Sequence, residues 1–453
     1  MKHDDKVRPA PSDRIDAHEL EVASGTRTYV VAPIVTRRGL DAPFARAPDA
    51  KLAEAVGLAA AIDLAVVGSG TVMLSEIRPS TYIGKGKVEE IAALVKTEEV
   101  TLVLMDCALS PVQQRNLEKA FGAKVIDRTG LILEIFGRRA RTKEGTLQVE
   151  LAHLNYQKGR LVRSWTHLER QRGGGGFLGG PGETQIESDR RLLQDRIVRL
   201  ERELEQVKRT RALHRKNRQK VPYPIVALVV YTNAGKSTLF NRLTRADVLA
   251  EDMLFATLDP TLRSIKLPHG TKAILSDTVG FISELPTMLV AAFRATLEEV
   301  VEADVILHVR DISHGDTDAQ ANDVRGILQS LGIDPDKTDR LIEVWNKVDL
   351  LEPVEREAML AGSRRDGGSG RPVAVSALTG EGTDMLLDRV EALVARGRET
   401  LDVTVEPGDG AGLAWLYSHC DVLSREDDET GAVHVQVRVP PEKADQVRAR
   451  FGI

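Results

Sequence analysis

The 453-residue sequence predicts an α/β protein whose largest part is a doubly wound, mostly parallel sheet, and three observations carry that reading. From Val221 to about Arg398, β-branched runs alternate with helix-length stretches, the rhythm of repeated βα units. Within that span the apolar run PIVALVVY (224–231) turns through a short loop into STLFNRL, as a strand feeding a helix does. The chain is also longer than one hydrophobic core usually grows, so further domains are expected on either side of the sheet.

Residues 1–27 are polar and patternless, and a flexible segment is expected there. Residues 28–142 predict a small α/β domain. TYVVAPIV (28–35), TLVLMD (101–106) and KVID (124–127) have strand composition, while VEEIAALV (88–95) and PVQQRNLEKAF (111–121) have helical spacing. The stretch STYIGKGKVEEI (80–91) places two glycines and two lysines ahead of the predicted helix, where backbone amides can face a phosphate; the same glycines also suit an ordinary strand-to-helix turn.

Residues 143–220 predict a coiled-coil-like helical hairpin. Leu147, Leu151, Leu154 and Leu161 follow a 4-3-7 spacing, and Leu193, Ile197, Leu200, Leu204 and Val207 repeat as 4-3-4-3, so each arm carries an apolar seam. Between them RQRGGGGFLGGPGETQIE (170–187) holds too many glycines for regular structure and presents Phe177 and Leu178 at its tip, either as a probe for a partner or as a plain linker. Residues 399–453 predict a small α+β domain of two strands, LDVTV and VHVQVRV, a helix containing Trp415 and Leu416, and a last helix after Pro440 and Pro441.

Composition excludes several classes. With 42% hydrophobic and 28% charged residues the chain is neither disordered nor fibrous. Its two cysteines, Cys107 and Cys420, cannot build a disulfide framework, and no membrane span or export signal is visible, so a cytoplasmic protein is expected. Nothing demands more than a monomer. The net charge of -5 is unevenly spread: residues 160–220 hold 16 Lys/Arg against 8 Asp/Glu, a local +8 that leaves -13 for the rest. Such a basic island suits an RNA backbone, and equally a solvated helix surface.

The chemistry is concentrated after residue 224. Read as GxxxxGK[ST], the loop Val230, Tyr231, Thr232, Asn233, Ala234, Gly235, Lys236, Ser237 matches at Gly235, Lys236 and Ser237 but has valine at the first glycine position. Loop amides and the helix N-terminus surround phosphates, the lysine neutralises β and γ oxygens, and the serine hydroxyl ligates Mg²⁺. Three partners follow, each after a predicted strand. In Asp277, Thr278, Val279, Gly280 the carboxylate supports the metal through water, and the glycine amide can sense a γ-phosphate. In Asn346, Lys347, Val348, Asp349 the asparagine bonds the purine, the lysine lies along its face, and the carboxylate accepts two N–H groups that guanine has and adenine lacks. Ser376, Ala377 and Leu378 suit a loop behind the base. The set predicts a P-loop GTPase domain at 221–398. In LFATLDPTLR (254–263), Thr257 and Thr261 both qualify as a mobile magnesium ligand.

With YIGKGK, GGGGFLGGPGETQIE, YTNAGKSTLFN, FATLDPT, DTVGF and NKVD in this order, the chain from about Thr28 onward resembles the HflX-type ribosome-associated GTPases. The resemblance implies that Thr257, within Phe255, Ala256, Thr257, Leu258, Asp259, is the switch threonine. It implies that the glycine-rich loop approaches the large ribosomal subunit and its rRNA near the peptidyl-transferase region, that GTP and GDP are bound with Mg²⁺, and that stalled or idle ribosomes are split. It also hints at ATP binding in the N-terminal domain.

Lys236, Thr257, Asn233 and Gly280 are the expected catalytic positions. Phe281 stands where many GTPases carry a water-orienting glutamine, which predicts slow intrinsic turnover. Asn233 resembles the asparagine of potassium-stimulated GTPases, and K⁺ is therefore a second expected cation; a turn-stabilising role is the alternative. Val230 departs from the family glycine and is expected to weaken nucleotide binding or hydrolysis by resisting the backbone angles of the loop. A nucleotide-dependent RNA clamp with little hydrolysis is the competing reading. An RNA-modification role finds no second constellation, since His153, His167 and His214 lack metal-ligand partners at suitable spacing.

Overall fold

The computed structural model describes residues 24–36, 46–171, 181–218, 223–245, 255, 261–284, 294–364, 371–396, 399–428, 431–439 and 441–453. It divides into two compact units, one of residues 1–40, 47–138 and 153–193, the other of residues 41–46, 139–152 and 194–453.

In the first unit the chain runs β1 (Arg27–Val35), α1 (Pro48–Ala60), β2 (Ala65–Leu74), α2 (Lys85–Thr97), β3 (Leu102–Met105), α3 (Pro111–Phe121), β4 (Lys124–Asp127) and α4 (Arg128–Arg139). The sheet is parallel throughout, in the order β2-β1-β3-β4. Strands buried on both faces need continuous apolar runs, and Leu102 to Met105 are all buried. Ser110 and Gln113 close a reciprocal capping box at the start of α3, beside Pro111 at its first position. The GKGK stretch differs from the sequence reading: α2 already begins at Lys85, so Lys85, Gly86 and Lys87 form its first turn and only Gly84 precedes it.

Two long helices, α5 (Lys143–Gln171) and α6 (Pro181–Arg218), follow. The glycine-rich stretch was expected to stay irregular through Glu187, but α6 starts at Pro181, a residue whose fixed φ suits the first turn; Phe177 and Leu178 lie outside the described residues. In the second unit Leu147, Ile197, Leu200 and Leu204 of the two seams are buried, and Arg196 of α6 reaches Glu150 of α5 at 2.7 Å.

The rest of the second unit contains β5 (Ile225–Val230), α7 (Lys236–Thr244), β6 (Thr261–Lys266), β7 (Lys272–Asp277), α8 (Arg294–Val301), β8 (Val305–Asp311), α9 (Thr317–Ser330), β9 (Leu341–Asn346), α10 (Pro353–Arg364), β10 (Val373–Ala374) and α11 (Thr383–Val394). The strand order is β10-β9-β8-β5-β7-β6, parallel except for the β6–β7 pair. The chain leaves β5 toward β7 on one side and returns to β8 on the other, so the order reverses at β5 and opens a crevice at the carboxyl ends of the strands there. Val226, Leu228 and Val230 of β5 face Leu239 and Phe240 of α7 and Leu386 and Val390 of α11 in one core.

The C-terminal part is β11 (Glu399–Val405), α12 (Gly410–His419), β12 (Asp421–Asp427), β13 (Val433–Val439) and α13 (Pro441–Phe451), with an antiparallel sheet in the order β11-β13-β12. The sequence reading missed β12, a polar edge strand. Among the described residues, no helix is long and apolar enough to cross a membrane.

Candidate functional site

The phosphate-loop residues take their shape from two left-handed positions, Asn233 at φ 66° and Gly235 at φ 89°. Gly235 has to be glycine for a second reason: a Cβ there would collide with the Asn346 side-chain amide. Immediately afterwards α7 begins at Lys236, so its free N–H groups and positive dipole end point out of the loop. Lys236 is buried and forms an ion pair with Asp277 at the end of β7. Burial pushes its ammonium below the usual lysine range, and the Asp277 carboxylate pulls the other way. Ser237, in the first turn of α7, is half-buried.

The segment after β7 is held against this loop by backbone. Thr232 N–H donates to Phe281 O at 2.7 Å, and Phe281 N–H donates to Val230 O at 2.8 Å. Ser283 N–H donates to the Tyr231 hydroxyl at 2.8 Å, and the Thr278 hydroxyl donates to Leu228 O at 2.5 Å. Gly280 allows the close approach, since a Cβ at that position would lie 3.1 Å from Thr232 Cγ2. Val279 and Phe281 are buried, the latter at 1% exposure, so the phenyl ring at the glutamine position is core rather than a lid over the site.

On the base side, Asn346 ends β9 and is 1% exposed. Its Nδ2 donates to Ala234 O at 2.8 Å, and its Oδ1 accepts from Ala377 N–H at 3.0 Å. Lys347 adopts φ 67° and pairs with Asp311 at 2.8 Å. Val348 is fully buried and anchors the 3-10 turn Val348–Leu350, which leaves the Asp349 side chain half-buried. Ser376 is buried and its hydroxyl accepts from Thr379 N–H at 3.1 Å, while Leu378 is 69% exposed.

The structure thus brings the loops at 230–237, 277–280, 346–349 and 376–378 to the carboxyl ends of β5, β7, β9 and β10. Of the predicted switch segment, Phe255 is buried with φ 59°, and Ala256, Thr257, Leu258 and Asp259 lie outside the described residues. Thr261, the other threonine considered, is the first residue of β6 and sits opposite Asp277 in the ladder. Val230 differs from the expectation of strain: it is the last residue of an ordinary strand, and its side chain packs in the core with Leu239 and Phe240. The loop's left-handed angles fall on Asn233 and Gly235 instead.

Two contributors went unread in the sequence. One is the Tyr231 hydroxyl that holds Ser283. The other is Arg242 of α7, which donates to the carbonyls of Ala377 and Leu378. Its only sequence signal is a cation six residues beyond Lys236.

These loops on this sheet define a P-loop nucleotide hydrolase of the GTPase class. Residues 225–347 match the 50S ribosome-binding GTPase family, residues 49–137 and 139–218 the N-terminal and middle regions of GTP-binding GTPases, and residues 363–453 the HflX C-terminal domain. The GTPase HflX of Magnetococcus marinus is 51% identical over 381 residues, spanning 83% of this chain and 85% of that protein. The GTPase HflX of Escherichia coli is 46% identical over 362 residues, 80% of this chain and 83% of that protein. The chain belongs to the HflX family of GTPases.

Proposed function

We propose that the protein hydrolyses GTP to control its grip on the large ribosomal subunit, near the peptidyl-transferase region, and thereby splits or recycles stalled or idle ribosomes. The observation that carries the nucleotide part is the pair of hydrogen bonds by which the Asn346 side chain donates to the phosphate loop and accepts from the base loop. It holds the phosphate-binding and base-binding parts in one frame, so a single nucleotide can meet both. The local +8 of residues 160–220, on the helical arms, supports an RNA partner.

In this reading the loop amides of residues 233–237 and the N-terminus of α7 bind the β- and γ-phosphates, and Lys236 exchanges its Asp277 partner for phosphate oxygens. Asp349 accepts from guanine, and Lys347 lies along the base. Magnesium takes oxygen ligands and is commonly shared with substrate phosphates, and the Ser237 hydroxyl and the Asp277 carboxylate are donors of that kind. Ser237 and Thr257 would hold it, with Asp277 acting through water, and its charge would stabilise the transferring phosphoryl group. Thr257 is favoured over Thr261 because the latter is fixed in the β6 ladder.

The Tyr231–Phe281 bridge ties the segment that senses the γ-phosphate directly to the loop that binds it. Phe281 is buried and offers no polar group to orient water, so intrinsic hydrolysis is slow and a ribosome that orders the switch segments accelerates it. The same observation favours the second reading, an RNA clamp with negligible hydrolysis. Phosphate release measured with and without ribosomes separates the two: acceleration supports the GTPase cycle, and a rate that stays at background supports the clamp. Sucrose-gradient sedimentation of intact ribosomes with protein plus GTP, a non-hydrolysable analogue or GDP tests splitting; an unchanged 70S peak with GTP and with the analogue contradicts it.

A further inference from the structure

We infer that Arg46 is a positioning residue for reading the γ-phosphate: it clamps the Tyr231 ring so that the tyrosine hydroxyl holds Ser283, and with it the segment that carries the Gly280 amide. The inference rests on the guanine-nucleotide reading of the site.

Arg46 precedes α1 in the chain but belongs to the second unit, as do all the residues it acts on here. Its Nη2 donates to Asp323 Oδ2 of α9 at 2.6 Å, a pair that joins residues 277 apart in sequence. Its Cζ lies over the Tyr231 ring, 4.7 Å from the centroid, inside the range of a cation–π contact. The arginine side chain is only 8% exposed and Tyr231 is buried, so the contact is largely out of water, where the ring holds a cation best. A guanidinium suits this position because it is planar: it can cover the ring face while an N–H at its edge reaches a carboxylate. Pairing with Asp323 offsets the burial of the charge and fixes where the guanidinium, and therefore the ring, can sit.

Tyr231 follows β5 directly, and its hydroxyl accepts from Ser283 N–H at 2.8 Å. One side chain of the phosphate loop is therefore gripped on its face by Arg46 and grips the segment after β7 with its tip. Ser283 lies three residues beyond Gly280, whose amide meets the γ-phosphate in the proposed function, and Phe281 between them is tied by backbone to Val230 and Thr232. A nucleoside diphosphate ends at its β-phosphate and needs only the loop amides and Lys236. A triphosphate also uses Gly280, so an anchor on that segment strengthens binding of the triphosphate alone. Arg46 needs no phosphate contact of its own, because it acts through Tyr231.

The test is equilibrium binding of GDP and of guanylyl imidodiphosphate, a non-hydrolysable GTP analogue, with magnesium, to the full chain and to its Arg46→Ala, Arg46→Met, Tyr231→Phe and Arg46→Met/Tyr231→Phe variants. The analogue is expected to weaken about tenfold in each Arg46 variant, while GDP changes by less than about threefold. Arg46→Met keeps an apolar stem without the charge; it separates the cation from its packing and serves as the test if the alanine variant does not fold. Tyr231→Phe keeps the ring and removes the hydroxyl, so it should lower the analogue:GDP preference likewise, and the double variant should be no worse than the more severe single change. Equal weakening of GDP and the analogue means general loosening of the loop and overturns the inference. So does a methionine variant that behaves as wild type, or losses that add in the double variant. If wild type binds both nucleotides and the Arg46 variants keep its preference, this inference fails alone; if wild type binds neither, the guanine-nucleotide reading itself fails.

Discussion

Asn346 Nδ2 donates to the Ala234 carbonyl at 2.8 Å, so the residue that ends β9 holds the middle of the phosphate loop. With its Oδ1 taken by Ala377 N–H, the buried amide acts first as scaffold and has one N–H left for a purine. Asn346→Ala strands a carbonyl and an amide at once. Each unsatisfied group costs about 1–3 kcal/mol, so GDP affinity should fall by at least about thirtyfold and the urea unfolding midpoint should drop. A titration showing less than a threefold loss contradicts this role.

Asn233 is exposed at the outer bend of the same loop, in a left-handed conformation that asparagine tolerates. We predict faster hydrolysis in potassium than in sodium buffer, and an Asn233→Ala variant that loses the difference. Equal wild-type rates in the two salts leave Asn233 as a turn residue only.

Val230 is 1% exposed and packs in the core beneath the loop. Val230→Gly removes a buried isopropyl group and adds backbone freedom, so stability should fall by about 2–3 kcal/mol. GDP affinity should change by less than about threefold, because the side chain points into the core and not toward the phosphates. A large gain in affinity on introducing glycine restores the idea that valine strains the loop.

His308 sits in the middle of β8, 1% exposed, with neither ring nitrogen hydrogen-bonded. Burial pushes its imidazole down to about 4; Glu343 across the ladder opposes that shift, and Arg310 and Arg325 add to it. An imidazole neutral in the fold and ordinary in the unfolded chain makes stability full above pH 6.5 and progressively lost toward pH 4. The loss is on the order of 3 kcal/mol. His308→Leu should flatten this slope by about one proton. Urea midpoints at pH 7.5, 6 and 5 check it; parallel slopes in the two proteins contradict it.

The motif residues were legible because each has a chemical task that few residue types perform and because each follows an apolar strand. Lys236, Asp277, Asn346 and Ser376 sit at or just past the ends of β5, β7, β9 and β10, the places where a parallel sheet presents loops to a ligand. β12 was missed because DVLSRED lacks alternation: it is an edge strand whose ladder among the described residues is with β13, with a register shift between Val422 and Ser424. The start of α6 was missed because glycines next to Pro181 read as loop. Arg242 was invisible for another reason. An exposed arginine on a helix is ordinary in sequence, and its meaning comes from carbonyls 135 residues away.

Calorimetric titration of the full chain with GDP and ADP in magnesium tests the central claim most directly, run beside an Asp349→Ala variant. Wild type should bind GDP at least about thirtyfold more tightly than ADP, as two unmet polar contacts imply, and the variant should lose most of that difference. Equal affinities in wild type, or a preference that survives in the variant, contradict the account.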